Sequence, residues 1–252
     1  MSRREEIETN LAAVRERIAR ACADAGRDPG AVTLIVVTKF HPVSDLGHLV
    51  DLGVTDIGEN RDQEAGAKIA ELDPATRAAL TVHFVGQLQT NKARHVVRYA
   101  DVVQSVDRAK LVGALDRAVA ARAEAPHEVV EGVAEPPQKL AVLLQVDLGE
   151  GEDAGRGGIL PADLMALADQ VELTEHLTLK GLMAVAPFGL GEAGTTAAFG
   201  RLTDLGARVR DTHPDATVLS AGMSGDLEIA IRSGATHLRV GTAILGSRPD
   251  PR

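Results

Sequence analysis

The chain has one cysteine, Cys22, no tryptophan, and only five other aromatic residues, Phe40, Phe84, Phe188, Phe199 and Tyr99. A lone thiol excludes an intramolecular disulfide and a multi-cysteine zinc site, and Cys22 falls on the apolar side of a helical pattern, which suits a reducing compartment. Lys and Arg number 27 against 36 Asp and Glu, a net charge of −9, with no basic patch. So little to stack bases or neutralise phosphates excludes nucleic acid as an expected partner, and the acidity reads as solubility. No stretch approaches the roughly 20 apolar residues of a membrane span. Met1-Ser-Arg-Arg-Glu-Glu runs into a charged amphipathic helix rather than an apolar core, so a cytoplasmic protein without membrane attachment is expected.

What is present is alternation. Ser2-Arg-Arg-Glu5 has capping-box spacing, and Ile7, Leu11, Val14, Ile18 and Ala21 follow at helical steps, which predicts a helix over residues 3 to 25. Strand patterns recur at Thr33–Lys39, Asp56–Asn60, Val82–Leu88, Val102–Val106, Ala141–Asp147, Gly181–Ala186, Thr217–Ala221 and Leu238–Gly241. Helical stretches separate them at Ser44–Leu52, Arg61–Leu72, Asn91–Tyr99, Arg108–Ala123, Pro161–Leu173, Thr196–Thr212 and Gly225–Ser233. Strand–helix repetition makes a parallel sheet. Eight strands in 252 residues favour one closed (β/α)8 barrel, a fold of about 250 residues, over an open doubly wound sheet. The tail after the eighth strand is too short for a full helix, so the N-terminal helix is expected to cover that flank. The whole chain, 1–252, reads as a single domain. The proline-containing stretch 125–138 is expected as a loop on the N-terminal side of the barrel, and the glycine-rich stretch 149–158 as a loop on the C-terminal side.

Strand exits in such a barrel meet around one mouth. Lys39 leaves the first strand, Glu59-Asn60 the second and Gln87 the third, Met183 and Pro187 flank the sixth exit, Ser224 lies past the seventh, and Gly241-Thr242 end the eighth. A lysine at the tip of so apolar a strand snorkels to solvent by default, yet the position also suits an amine that captures a carbonyl. Met223-Ser-Gly-Asp226 leads into a helix with unpaired first amides, and Arg239-Val-Gly-Thr242 puts a glycine beside a hydroxyl, so the two together would cradle a phosphate. Taken singly, Ser224 or Glu59-Asn60 is a helix cap, Gly241-Thr242 a turn, and Arg239 a rim partner for Asp226 or Glu228. Strands one and eight are neighbours in a closed barrel, which points phosphate and amine at one pocket. Pyridoxal 5′-phosphate (PLP) joins those two needs in one molecule. His83 and His237 begin their strands, at the bottom of the barrel, and read as surface or packing residues. Asp147 and the acids of 150–153 have no matching histidine and read as a solvated loop, not a metal site.

The longer motifs carry a resemblance. Thr38-Lys39, Ile57-Gly-Glu-Asn60 with Gln63-Glu64, His83-Phe-Val-Gly-Gln-Leu-Gln-Thr-Asn-Lys92, Gly181-Leu-Met-Ala-Val-Ala-Pro187, Leu219-Ser-Ala-Gly-Met-Ser224, then Asp226, Glu228 and Arg239-Val-Gly-Thr-Ala-Ile-Leu-Gly246 stand in one order over roughly residues 5 to 248. They closely resemble the YggS/PROSC family of pyridoxal phosphate homeostasis proteins. The resemblance implies an α/β fold, a single (β/α)8 TIM barrel of the alanine racemase N-terminal type (PLP fold type III) with an extra N-terminal helix. It implies PLP as a Schiff base on Lys39, with Ser224, Gly241 and Thr242 at the phosphate, Arg239 at the pyridine nitrogen and Asn60 beside the ring. Alternation agrees for Arg239, which shares a strand face with Gly241 two residues on. Position 87 varies within the family, and 125–138 is longer than usual.

Two functions share that cofactor. One is a monomeric carrier that stores PLP and delivers it to apo PLP-dependent enzymes without being an enzyme itself. The alternative is an amino-acid racemase, which needs a base on each face of the substrate. In the racemases that share the barrel the second base is a tyrosine supplied by a domain this chain lacks, and Tyr99 falls outside the mouth motifs. The carrier is the reading favoured.

Overall fold

A reciprocal cap starts the fold. The Ser2 side chain accepts the Glu5 N–H and the Glu5 carboxylate accepts the Ser2 N–H, which opens helix α1 (Arg3–Asp24) as the spacing predicts. The computed structural model describes residues 1–124, 139–149 and 157–247. The expected loop 125–138, residues 150–156 of the glycine-rich loop and the tail from 248 lie outside the described residues.

Eight parallel strands close into a barrel in chain order: β1 (Thr33–Val37), β2 (Asp56–Glu59), β3 (Thr81–Phe84), β4 (Val102–Val106), β5 (Leu140–Gln145), β6 (Leu177–Met183), β7 (Val218–Ser220) and β8 (His237–Val240). Closure is made by β1 on β8, with Val36 in register with Val240 on one side and with Ile57 of β2 on the other. The crossovers run through α2 (Val43–Asp51), α3 (Asp62–Ala70), α4 (Pro74–Ala78), α5 (Ala93–Val96), α6 (Ala109–Glu124), α7 (Leu164–Glu172), α8 (Glu192–Thr212) and α9 (Leu227–Arg232), and α10 (Thr242–Leu245) follows β8. Their apolar faces bury Leu46, Leu115, Leu167, Phe199 and Ile231 against the strands.

With α10 only one turn long, α1 covers that flank as expected, packing on α9, α10 and α2. Ile7, Leu11 and Val14 are buried there, Asn10 Nδ2 donates to the Ile244 carbonyl at 3.0 Å, and Arg17 pairs with Glu228 at 2.9 Å.

The sequence places most elements but not their ends. The strand patterns running to Lys39 and Leu88 overshoot, because the chain leaves the sheet as it turns over the mouth. The helix expected over Asn91–Tyr99 is a 3₁₀ turn, Thr90–Lys92, followed by the single turn of α5. The Asp73 cap on Pro74 marks α4, which the periodicity alone does not reveal. β6 begins four residues earlier than Gly181, at Leu177, and Gly181 sits inside it at φ +147°, where an added Cβ would lie 2.0 Å from the Val218 carbonyl oxygen. The pairing of β5 with β6 shifts register there, between Val142 and Leu143, so this glycine marks a bulge rather than a strand start.

Candidate functional site

Lys39 sits two residues past β1, half-buried, and its amine has no hydrogen bond or ion pair among the described residues. The residues on either side of it are fixed. Thr38 Oγ1 donates to Glu59 Oε1 at 2.6 Å, Lys68 Nζ donates to the Thr38 carbonyl and to Glu59 Oε1, each at 2.8 Å, and the Phe40 N–H donates to Glu64. Phe40 carries a positive φ, +69°, and the Arg61 guanidinium lies 5.2 Å from its ring centroid. A non-glycine residue in that region costs on the order of 1 kcal/mol or more and persists only where its surroundings hold it, as Glu64 and Arg61 do here. The turn carrying Lys39 is thereby braced from three sides.

Glu59 is fully buried, and burial pushes its carboxyl above the usual carboxylate range while Lys68 and Thr38 pull it back. Lys68 is also buried, with its amine committed to three acceptors, Glu64 at 3.4 Å being the third. Of these two lysines, Lys39 is the one whose amine has no partner among the described residues. Sequence reasoning missed Lys68, although its i,i+4 spacing from Glu64, behind a strand ending in Glu59, was the available signal.

Val37 is in register with Gly58, so the exits of β1 and β2, which carry Lys39 and Asn60, are adjacent. Asn60 is pressed by the third strand exit, since an added Cβ on Gly86 would lie 2.3 Å from its carbonyl oxygen. On the other side of β1, a Cβ on Gly241 would lie 3.1 Å from the Val37 carbonyl oxygen. Ser224 Oγ and Thr242 Oγ1 converge to 3.5 Å, joining the exits of β7 and β8. Lys39, Asn60, Ser224, Gly241 and Thr242 therefore leave contiguous strands at the mouth.

The bland alternatives are not adopted. Ser224 is not the cap of α9, which is Asp226, and the cap of α3 is Arg61, with no side-chain capping bond from Glu59 or Asn60. Arg239 makes no rim pair: Glu228 takes Arg17, Asp226 accepts the Met223 amide, and the Arg239 guanidinium donates to Ser220 Oγ at 2.7 Å and the Ala184 carbonyl at 2.8 Å. Burial lowers the Arg239 pKa to about 10, which leaves it charged at neutral pH. The Gln87 side chain approaches Gly157, whose added Cβ would lie 3.2 Å from its Nε2. Tyr99 is buried, its hydroxyl 3.4 Å from Asp62 Oδ1, and burial followed by the nearby carboxylates raises its pKa, which keeps it protonated and withholds the phenolate a base would need. His83 is a packing residue, buried and bonded on both ring nitrogens, but it stands third of the four residues of β3 rather than at the start of that strand. Among the described residues no three His, Cys, Asp or Glu side chains are arranged to hold a metal, and no helix is long and apolar enough to cross a membrane.

The family profile "Alanine racemase, N-terminal domain" matches residues 9–249. A pyridoxal phosphate homeostasis protein of Mycobacterium tuberculosis is 42% identical over 254 residues, covering 98% of this chain and 94% of that protein. One from Pseudomonas aeruginosa is 40% identical over 242 residues, covering 96% of each. The structure of PipY from Synechococcus elongatus with PLP bound superposes with a TM-score of 0.77 at 35% identity, covering 95% of this chain and all of that one. With its barrel, its mouth motifs and these relatives in agreement, the chain belongs to the pyridoxal phosphate homeostasis protein family, on the alanine racemase N-terminal barrel.

Proposed function

We propose that this chain binds PLP at the barrel mouth and serves intracellular PLP homeostasis, storing the cofactor and handing it to apo PLP-dependent enzymes, as a cytoplasmic monomer without robust catalysis of its own. The observation that carries the reading is the unpartnered Lys39 amine on a braced turn, beside the exits of β8 and β7 where the Thr242 and Ser224 hydroxyls converge. Bound there, PLP supplies an aldehyde, a pyridine nitrogen and a phosphate. Lys39 takes the aldehyde carbon with loss of one water. Ser224, Thr242 and the Gly241 backbone surround the phosphate, Arg239 donates to the ring nitrogen, and Asn60 flanks the ring. A guanidinium donates and does not give up its proton, so Arg239 keeps that nitrogen unprotonated and the ring a weak electron sink.

The hydroxyl pair gives a graded test. Ser224→Ala with Thr242→Ala removes hydrogen bonds to a charged group worth about 1.5–3 kcal/mol each, so PLP affinity falls by about tenfold or more while pyridoxal, lacking the phosphate, is little affected. Titration of both ligands into wild type and double variant checks this, and equal losses would put the phosphate elsewhere.

Against a racemase counts the second base: Tyr99, the only tyrosine, is buried against Asp62. The deciding experiment incubates PLP-loaded protein with an apo PLP enzyme and separately with L-alanine and L-serine. The recipient enzyme regains activity, and racemisation stays well below the roughly one per second that marks the slow end of enzymatic turnover. Turnover above that rate would replace the carrier with the enzyme.

A further inference from the structure

The interior of a (β/α)8 barrel is ordinarily filled by layers of branched aliphatic side chains. Here a row of polar ones crosses it. Arg239 on β8 is 5% exposed, and its Nη1 donates to Ser220 Oγ on β7 at 2.7 Å. Having accepted that bond, the Ser220 hydroxyl donates onward to Gln104 Oε1 on β4 at 2.8 Å. Strands β4 and β7 are not neighbours in the barrel, so this bond spans the interior. Gln104 Nε2 lies 2.9 Å from His83 Nδ1 on β3. An amide nitrogen can only donate, so Nδ1 accepts and the imidazole proton sits on Nε2, which donates to Asp56 Oδ1 at 2.9 Å.

Each group thus donates in the same sense, from Arg239 through Ser220, Gln104 and His83 to Asp56. Hydrogen bonds aligned in this way polarise one another. The chain also answers a charge problem. Arg239 makes no ion pair among the described residues, and a buried cation needs compensation, to which Asp226 contributes through space. Asp56, at the start of β2, is an anion of matching kind: burial pushes its carboxyl up, but the bonds from His83 and Thr55 outweigh this and hold it below the usual range.

We propose that Gln104 and His83 are positioning residues for Arg239. They orient the Ser220 hydroxyl that fixes the guanidinium plane at the floor of the mouth, and they connect its charge to Asp56 at the far end of the barrel. The consequence for the cofactor rests on the reading of Arg239 as partner of the PLP ring nitrogen; the relay itself does not.

Two measurements test it. In nitrogen-15-labelled wild-type protein without PLP, two-dimensional NMR of the histidine rings, assigned with His83→Gln, shows His83 with its proton on Nε2 and Nδ1 bare, as the bond from Gln104 requires. Gln104→Glu, which can only accept, drives His83 to carry protons on both nitrogens. A wild-type His83 protonated on Nδ1 would overturn the relay. With PLP, Gln104→Leu shifts the visible absorption band of the bound cofactor and weakens its affinity by roughly threefold to tenfold, the loss of one hydrogen bond's worth of orientation. Borohydride labelling of Lys39 persists in that variant. Ser105→Ala, which removes the next buried hydroxyl on β4, one without a partner, leaves band and affinity unchanged. An unshifted band in Gln104→Leu, or an equal shift in Ser105→Ala, would overturn the positioning role. Absence of Lys39 labelling in wild type would instead count against the proposed cofactor site, and the tautomer would still decide the relay.

Discussion

Lys39→Ala loses all covalent attachment of PLP. Borohydride treatment of PLP-loaded wild type leaves a phosphopyridoxyl group on the peptide containing Lys39, and the same treatment of the variant leaves none, as read by mass spectrometry. The expectation follows from the state of the other amines near the mouth as much as from Lys39. Lys68 is 7% exposed and gives its protons to the Thr38 carbonyl, Glu59 and Glu64, so it cannot substitute without breaking a buried ion pair. Lys92 lies 3.7 Å from Asp62, toward α3 and α5. The loss is therefore absolute, while noncovalent affinity through the Ser224 and Thr242 hydroxyls is retained in part. A label on another lysine in wild type, or an unchanged visible spectrum in Lys39→Ala, would remove Lys39 from the site.

The mouth was legible in the sequence because a parallel barrel delivers its strand C-termini to one end, so Lys39, Asn60, Ser224, Gly241 and Thr242 become neighbours once eight strand–helix units are counted. What braces the mouth was not. Phe40 lies in Lys39-Phe-His-Pro42, where nothing signals a positive φ, since the glycines and asparagines that usually mark one are absent. Lys68 reads as the solvent end of an i,i+4 pair with Glu64 and is buried only because α3 lies against the Thr38 carbonyl. His83 stands third in β3 rather than at its start, and position along a strand says nothing about which side chains meet across the interior. Gln104 and Ser220, on strands three apart in the barrel, have no signature in one sequence that joins them.

Lys68→Met destabilises the fold by about 3–5 kcal/mol near neutral pH, the cost of leaving a buried charge without its partner. Glu59 is the group left behind: fully buried, it keeps only the Thr38 hydroxyl on Oε1, and its Oε2 has no partner even in the wild type. The penalty depends on pH, and its direction is fixed by Glu59. A carboxyl whose pKa is higher in the folded than in the unfolded protein binds more protons when folded, so stability is greatest where it is protonated and falls as pH rises through the folded value. Burial already raises the Glu59 pKa with Lys68 present, and removing the cation that pulls it down raises it further. The variant's deficit is therefore smallest in acid, where Glu59 is neutral in both proteins, and grows toward neutral and alkaline pH. Glu64, the other carboxylate on Lys68, is partly exposed and adds less. Chemical denaturation of wild type and Lys68→Met from pH 5 to 8 reads the trend, and Glu59→Gln in the Lys68→Met background recovers much of the loss because a neutral amide replaces the stranded charge. A deficit independent of pH, or no recovery in the double variant, would show that Lys68 contributes by packing its methylenes rather than by neutralising Glu59.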